Sequence, residues 1–179
     1  DYGLGYGWTW RAAGKLELYS NLIQVRAGDG RGAPFTRNSA GQWIADADSE
    51  LTLAQDTTGY TLTRQDGSFE RYDASGKLSA ETGRNNRTTS YAYNGSGQLA
   101  SVTGPFGHAL TIGYDSNGRI GSITDPAGGV YGYAYDSSGN LAQVSYPDGS
   151  DKRYHYEDTS FPHHLTGISI RSCSRHATA

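Results

Sequence analysis

Three groups of side chains in this chain carry residue types able to do chemistry. His163-His164, with His155 and Asp158 nearby, supply the imidazoles and carboxylate that hold zinc. Adjacent strand histidines point to opposite faces and no third ligand stands at metal-site spacing, so solvated loop histidines are expected. Cys173 and His176 pair a thiol with a base, yet nothing near them orients the imidazole. Asp115, Asp125, Asp136 and Asp148 recur along the chain. A turn needs its aspartate in every unit and an active site needs it once, so recurrence points to turns. Their oxygens also lack the close alternation of calcium loops. No P-loop, nucleophile elbow or zinc-protease motif is present. Gly3-Leu4-Gly5-Tyr6-Gly7 runs into Trp8-Thr9-Trp10, which does not open a helix, so it is not a dinucleotide fingerprint. No catalytic residue, cofactor or metal is expected.

A second kind of chemistry is binding. Tyr93, Tyr114 and Tyr135 form a row at 21-residue spacing, and aromatic faces flanked by Asp, Asn and Ser suit glycans. The competing reading is that these rings cover the sheet's own surface through cross-strand pairs. Composition favours it: 25 Gly and 14 Tyr stand against 4 Phe, 3 Trp and no Met, with hydrophobic types at only 35%. A thick core is hard to fill from that set, whereas tyrosine buries its ring and keeps its hydroxyl paired or wet. A net charge of −3 without a basic cluster argues against nucleic acid. No run approaches the ~20 apolar residues of a membrane span, and no signal peptide is visible. Asn86-Arg87-Thr88 and Asn94-Gly95-Ser96 match the glycosylation sequon; in a chain rich in Asn-Gly turns they are read as coincidence.

A repeat positions these residues. Tyr72-Asp73, Tyr93-Asn94, Tyr114-Asp115, Tyr135-Asp136 and Tyr156-Glu157 start 21 residues apart. Gly76, Gly97, Gly118 and Gly139 follow, then Leu78, Leu99, Ile120 and Leu141. Val102, Ile123 and Val144 agree where the first unit has Glu81, and Pro105, Pro126 and Pro147 precede Gly107, Gly128 and Gly149. Alternation such as Tyr91-Ala92-Tyr93 puts both rings on one strand face. The Asp or Asn begins a turn that glycine completes, with Asn94-Gly95 and Asn117-Gly118 as hairpin signals. A second strand follows, for instance Gly118 to Asp125, and a Pro-Gly loop over 125–129 ends it. The repeated tyrosines, aspartates and glycines are thus expected to be structural. Leu99 and Val102 stand three apart and would face opposite sides of an unbroken strand. Coverage of both sheet faces is preferred here over a bulge.

Residues 1–71 lack the period and read as an irregular β lead-in. Lys15 to Val25 is strand rather than helix, Asp29-Gly30-Arg31-Gly32 a turn, and Gly41-Gln42-Trp43 the start of another strand. Two hairpins are expected over 50–71, turning at 56–59 and at Asp66-Gly67. Four repeats fill 72–165. Residues 166–179 read as an irregular tail, frameshifted near Ser169 or disordered.

The units YDSNGRIGSITDPAGG and YDSSGNLAQVSYPDGS resemble YD repeats, the building blocks of Rhs proteins, teneurins and Tc-toxin cocoons. LGYGWTW, GDGRGAPF and GYTLTRQDGSFERYD resemble the segment that opens an Rhs core. The likeness covers roughly residues 1–168. It implies an all-β array of hairpins in a curved antiparallel sheet, the wall of a secreted or secretion-delivered shell around a C-terminal toxin. Two features depart from that family. Eight repeat strands at ~4.8 Å spacing make a strip only ~40 Å wide, too narrow to close, and neither the self-cleaving aspartate segment nor a toxin is recognisable. The implied partners are the remainder of a shell or its cargo, with self-association through an exposed sheet edge.

Overall fold

The computed structural model describes residues 3–6 and 8–172. Apart from a single 3-10 turn at Arg11–Ala13, the regular structure is all strand. Two compact units divide the chain, one of residues 9–108 and one of 1–8 with 109–179. The first holds β1 (Lys15–Leu18), β2 (Leu22–Arg26), β3 (Gly32–Arg37), β4 (Trp43–Ala45), β5 (Thr52–Gln55), β6 (Gly59–Thr63), β7 (Phe69–Asp73), β8 (Leu78–Thr82), β9 (Thr88–Tyr93) and β10 (Leu99–Thr103). The second holds β11 (Ala109–Tyr114), β12 (Ile120–Thr124), β13 (Val130–Tyr135), β14 (Leu141–Ser145), β15 (Asp151–His155) and β16 (Gly167–Arg171). Within each unit, strand order in the antiparallel sheet is chain order. The fold is therefore all-β, as expected.

Each repeat turn is built the same way. Asp73 N–H donates to the Lys77 carbonyl and Gly76 N–H to the Asp73 carbonyl. The Asp73 carboxylate accepts the N–H groups of Ser75 and Lys77 at 2.8 and 2.9 Å. A short side-chain oxygen, of Asp or Asn, is needed to reach both amides, and a glycine to take φ +85° at position 76 without a side-chain clash. The same pattern recurs at 94–98, 115–119 and 136–140. Gly97, not Gly95, carries the left-handed φ in the second of these, so the Asn94-Gly95 signal falls in the right turn at the wrong position.

The preference for two covered faces is corrected. Leu99 pairs with Tyr93 but Ser101 with Ala92, leaving Ala100 as an extra residue, a β-bulge. Shifts at the same place leave Ser79, Gly121 and Ala142 unpaired. The bulge rotates Val102 back onto the face of Leu99, opposite Tyr91. In each unit the core is consequently a line of cross-strand pairs: Ile23 with Phe35, Leu53 with Leu62 and Tyr72 with Leu78 in residues 9–108. In the other unit the matching pairs are Ile112 with Ile123 and Tyr133 with Val144. Leu78, Leu99, Ile120 and Leu141, the first residue of each second strand, are all buried.

Two expected boundaries move. Strand β7 runs across position 71/72, so the onset of the period is not a break in the sheet. Residues 167–171 form β16, with five register pairs to β15, rather than part of an irregular tail. The remainder of that tail, with Cys173 and His176, lies outside the described residues. Within residues 9–108 the sheet curls back on itself: Leu16 N–H donates to the Gly76 carbonyl at 2.8 Å, and Lys15 bridges Lys77.

Candidate functional site

The repeat tyrosines end the first strand of each hairpin, and their hydroxyls reach back to the preceding strands. Tyr93 OH donates to the Leu78 carbonyl and Tyr135 OH to the Ile120 carbonyl, each at 2.7 Å. Both rings are half-buried, as is that of Tyr114. Cations cap them: Lys77 Nζ lies 5.3 Å from the Tyr93 ring centre and the Arg119 guanidinium 4.3 Å from that of Tyr135. Lys77 also donates to the Gly97 carbonyl at 3.0 Å, which ties one unit's turn to the next. Burial, then the Asp115 charge, pushes the Tyr135 hydroxyl up to about 12 despite the opposing effect of Arg119. With hydroxyls committed to main-chain acceptors and rings capped, Tyr93 and Tyr135 offer a sugar little beyond a ring edge.

Tyr72 takes a different partner. Its hydroxyl donates to Glu70, whose other oxygen holds Arg64, while Tyr91 donates to Glu81 at 2.9 Å. These groups line a cleft of about 640 Å³ with Trp10 and Asp29. Burial, reinforced by Glu70, drives the Tyr72 hydroxyl far above its ordinary range. Arg64 is raised because its ion pair with Glu70 outweighs the effect of burial. Arg64 is paired with Glu70 and Glu81 accepts the Tyr91 hydroxyl, so the groups of this network are tied to one another. A second cleft, of about 720 Å³, surrounds Trp43, whose indole N–H is held by Gln55 at 3.1 Å.

The remaining sequence candidates are dispersed. His155 bonds Ser169 at 2.9 Å, His164 stacks on Phe161, and Asp158 accepts the Ser160 N–H in a turn. His163 meets Asn140 at 2.8 Å. Among the described residues no three His, Cys, Asp or Glu side chains converge. Asp115, Asp125 and Asp136 each accept two backbone amides of their own turn, and Asp148 accepts one. Sequence reasoning missed Asn140, fully buried, and the contacts of residues 3–6 and 8. The signal for the first was a short amide where the other units carry Lys77, Gln98 and Arg119; for the second, glycines at alternate positions.

A family model described as Teneurin YD-shell matches residues 35–169. The chain belongs to that family. A crystal structure of TcdB2-TccC3 without its hypervariable C-terminal region is similar at 13% identity and TM-score 0.50, over 87% of this chain and 9% of that one. A second TcdB2-TccC3 structure aligns at 18% identity and TM-score 0.48, over 79% and 9%. The Photorhabdus luminescens Tc holotoxin pore aligns at 14% and 0.41, over 87% and 11%. The chain thus spans about a tenth of the structures it resembles. No curated protein sequence matches it. As a YD-shell member its repeated Tyr, Asp and Gly sit where the two strands of each hairpin are joined, and its role at this level is structural.

Proposed function

We propose that this YD-shell segment is a non-catalytic piece of wall in a secreted shell that encloses a C-terminal toxin. The observation that carries the reading is the uniformity of the hairpins. One turn geometry and one bulge position recur through four units, and each strand pairs with its chain neighbour. Such a strip grows by addition of further units and gains area without changing its local rules. Ile168 and Ile170 on β16 are exposed and stand in register with Tyr154 and Lys152, which suits pairing with further wall. The mutually tied groups of the Arg64 cleft are suited to a wall and ill-suited to catalysis.

The test is protease protection in the complete polypeptide encoded with this segment. A region C-terminal to the repeats should resist a protease until the shell is denatured, and then be digested quickly. Digestion of that region at the same rate before and after denaturation would refute enclosure.

A further inference from the structure

Residues 3–6 and 8 do not join the sheet. They cross the turn ends of the hairpins in their own unit, from β12 to the segment after β15. Ile120 N–H donates to the Gly3 carbonyl at 2.7 Å, and the Tyr135 hydroxyl lies 3.0 Å from the same oxygen. Gly5 is buried at φ +84°, where an added Cβ would stand 2.8 Å from the Gly139 carbonyl oxygen and 3.0 Å from Leu141 N. Tyr6 stacks on His163 with ring centres 3.8 Å apart. Trp8 sets its edge against Tyr154 at 5.0 Å and donates its indole N–H to Tyr156 at 3.3 Å.

The surface under this arm is preformed by groups other than the arm. Asn140 is fully buried, and its amide donates to Asp136 at 2.8 Å and to the Pro162 carbonyl at 2.9 Å. Its oxygen is then the acceptor for His163, so His163 Nδ1 carries the proton and the ring on which Tyr6 stacks is held in place. The other contact groups are main-chain atoms of the hairpin turns, whose positions the repeat already sets. Residues 9–108 show the same use of a turn: the Gly76 carbonyl receives Leu16, and a Cβ on Gly76 would fall against the Leu16 carbonyl oxygen. In each unit one hairpin turn, at Gly76 or at Gly139, thus lies against a second stretch of backbone.

We propose that the turn ends of β12–β15 are a binding site for an extended peptide, and that residues 3–6 and 8 fill it as an exchangeable ligand in cis. The recognition chemistry asks for a carbonyl to take the Ile120 amide, a glycine two residues on, then aromatics at the next position and the third. Selectivity comes mostly from the missing side chain, because backbone atoms of Gly139 and Leu141 leave no room for one. Tyr6, 52% exposed, is the more accessible of the arm's two aromatic contacts. This inference is independent of any enclosed cargo.

The experiment uses the full chain and a labelled peptide of residues 1–10, DYGLGYGWTW, read by fluorescence anisotropy. The wild-type chain, its site occupied, should bind the peptide weakly. Gly5→Val in the chain unseats its own arm without touching the site, so the peptide should bind at least tenfold more tightly. A peptide carrying Gly5→Val should bind neither protein. Equal binding to both chains would overturn the proposal. So would no binding to a Gly5→Val chain that keeps its β-sheet circular dichroism and a cooperative melt. Should Gly5→Val fail to fold, Tyr6→Ala with Trp8→Ala loosens the arm by removing its aromatic contacts. That variant should likewise gain tenfold, and the absence of any gain would count as refutation.

Discussion

The approach of the Leu16 backbone to the 73–77 turn, within residues 9–108, can be isolated by comparing two glycines. Gly76 and Gly107 have nearly the same backbone, φ +85° and +80°, and both complete hairpin turns. A Cβ at Gly107 meets nothing within 4 Å, whereas one at Gly76 runs into the Leu16 carbonyl and stands 3.2 Å from the Leu16 Cβ. Forcing alanine into the left-handed region costs about 1–2 kcal/mol. The stiffer unfolded chain returns about 0.4–1 kcal/mol. Gly107→Ala should therefore cost about 1 kcal/mol. Gly76→Ala carries the same cost and also pushes β1 away. It loses the Leu16–Gly76 hydrogen bond, about 1 kcal/mol, and re-exposes the Leu16 side chain, now 3% accessible, about 1.5–3 kcal/mol. The expected total is about 3–5 kcal/mol, read as a urea midpoint by tryptophan fluorescence with Trp10 and Trp43 as local reporters. Equal losses in the two variants would refute the packing of β1 on that turn.

Asn140→Leu strands the Pro162 carbonyl and the His163 ring, so it should cost about 2 kcal/mol or more; hydrogen exchange over residues 156–166 should speed up, and unchanged protection would refute the buried amide's role. Burial raises the Tyr72 and Tyr135 hydroxyls, so their contribution is complete below the unfolded value of 10.0 and is lost at higher pH, for Tyr135 as pH climbs through about 12, because the unfolded chain ionises first. Tyrosinate absorbance should show a late-titrating class that vanishes in denaturant; a single class in the native protein would refute the burial. At the acid end Asp148 is lowered by the Ser150 hydroxyl, and Asp115 by amide and Arg119 hydrogen bonds that outweigh burial. Their stabilisation is present above 3.8 and is lost as pH falls through the lowered values, which a chemical-denaturation series in acid should reveal.

Much of this architecture was legible because a left-handed turn leaves the chain little choice of residue. Gly76, Gly97, Gly118 and Gly139 announce the turns, and the hairpins at 56–59 and 64–68 were equally plain. The bulge was not read, although Ser79, Ala100, Gly121 and Ala142 are all small where the extra residue lies. Periodicity counts residues and is blind to an insertion that every unit shares. Strand β16 escaped for the opposite reason. The period places a second strand from Pro162, and the longer connection from Tyr156 delays it to Gly167. The arm's contacts span 132 and 148 residues of sequence, and no local pattern reports such a distance.

That separation also imposes an order of assembly. Every ladder in the sheet joins neighbours in the chain, so a hairpin is complete as soon as its own residues have emerged from the ribosome. The contacts of residues 3–6 and 8 are an exception. These residues precede β1–β16 in the chain, yet the groups they need at Tyr135, Gly139 and Tyr156 are made long after them. The earliest residues of this segment are therefore placed late, and through most of synthesis Tyr6 and Trp8 wait in solvent. A chaperone or a neighbouring nascent chain would meet them during that interval, and elongation past Tyr156 marks its end.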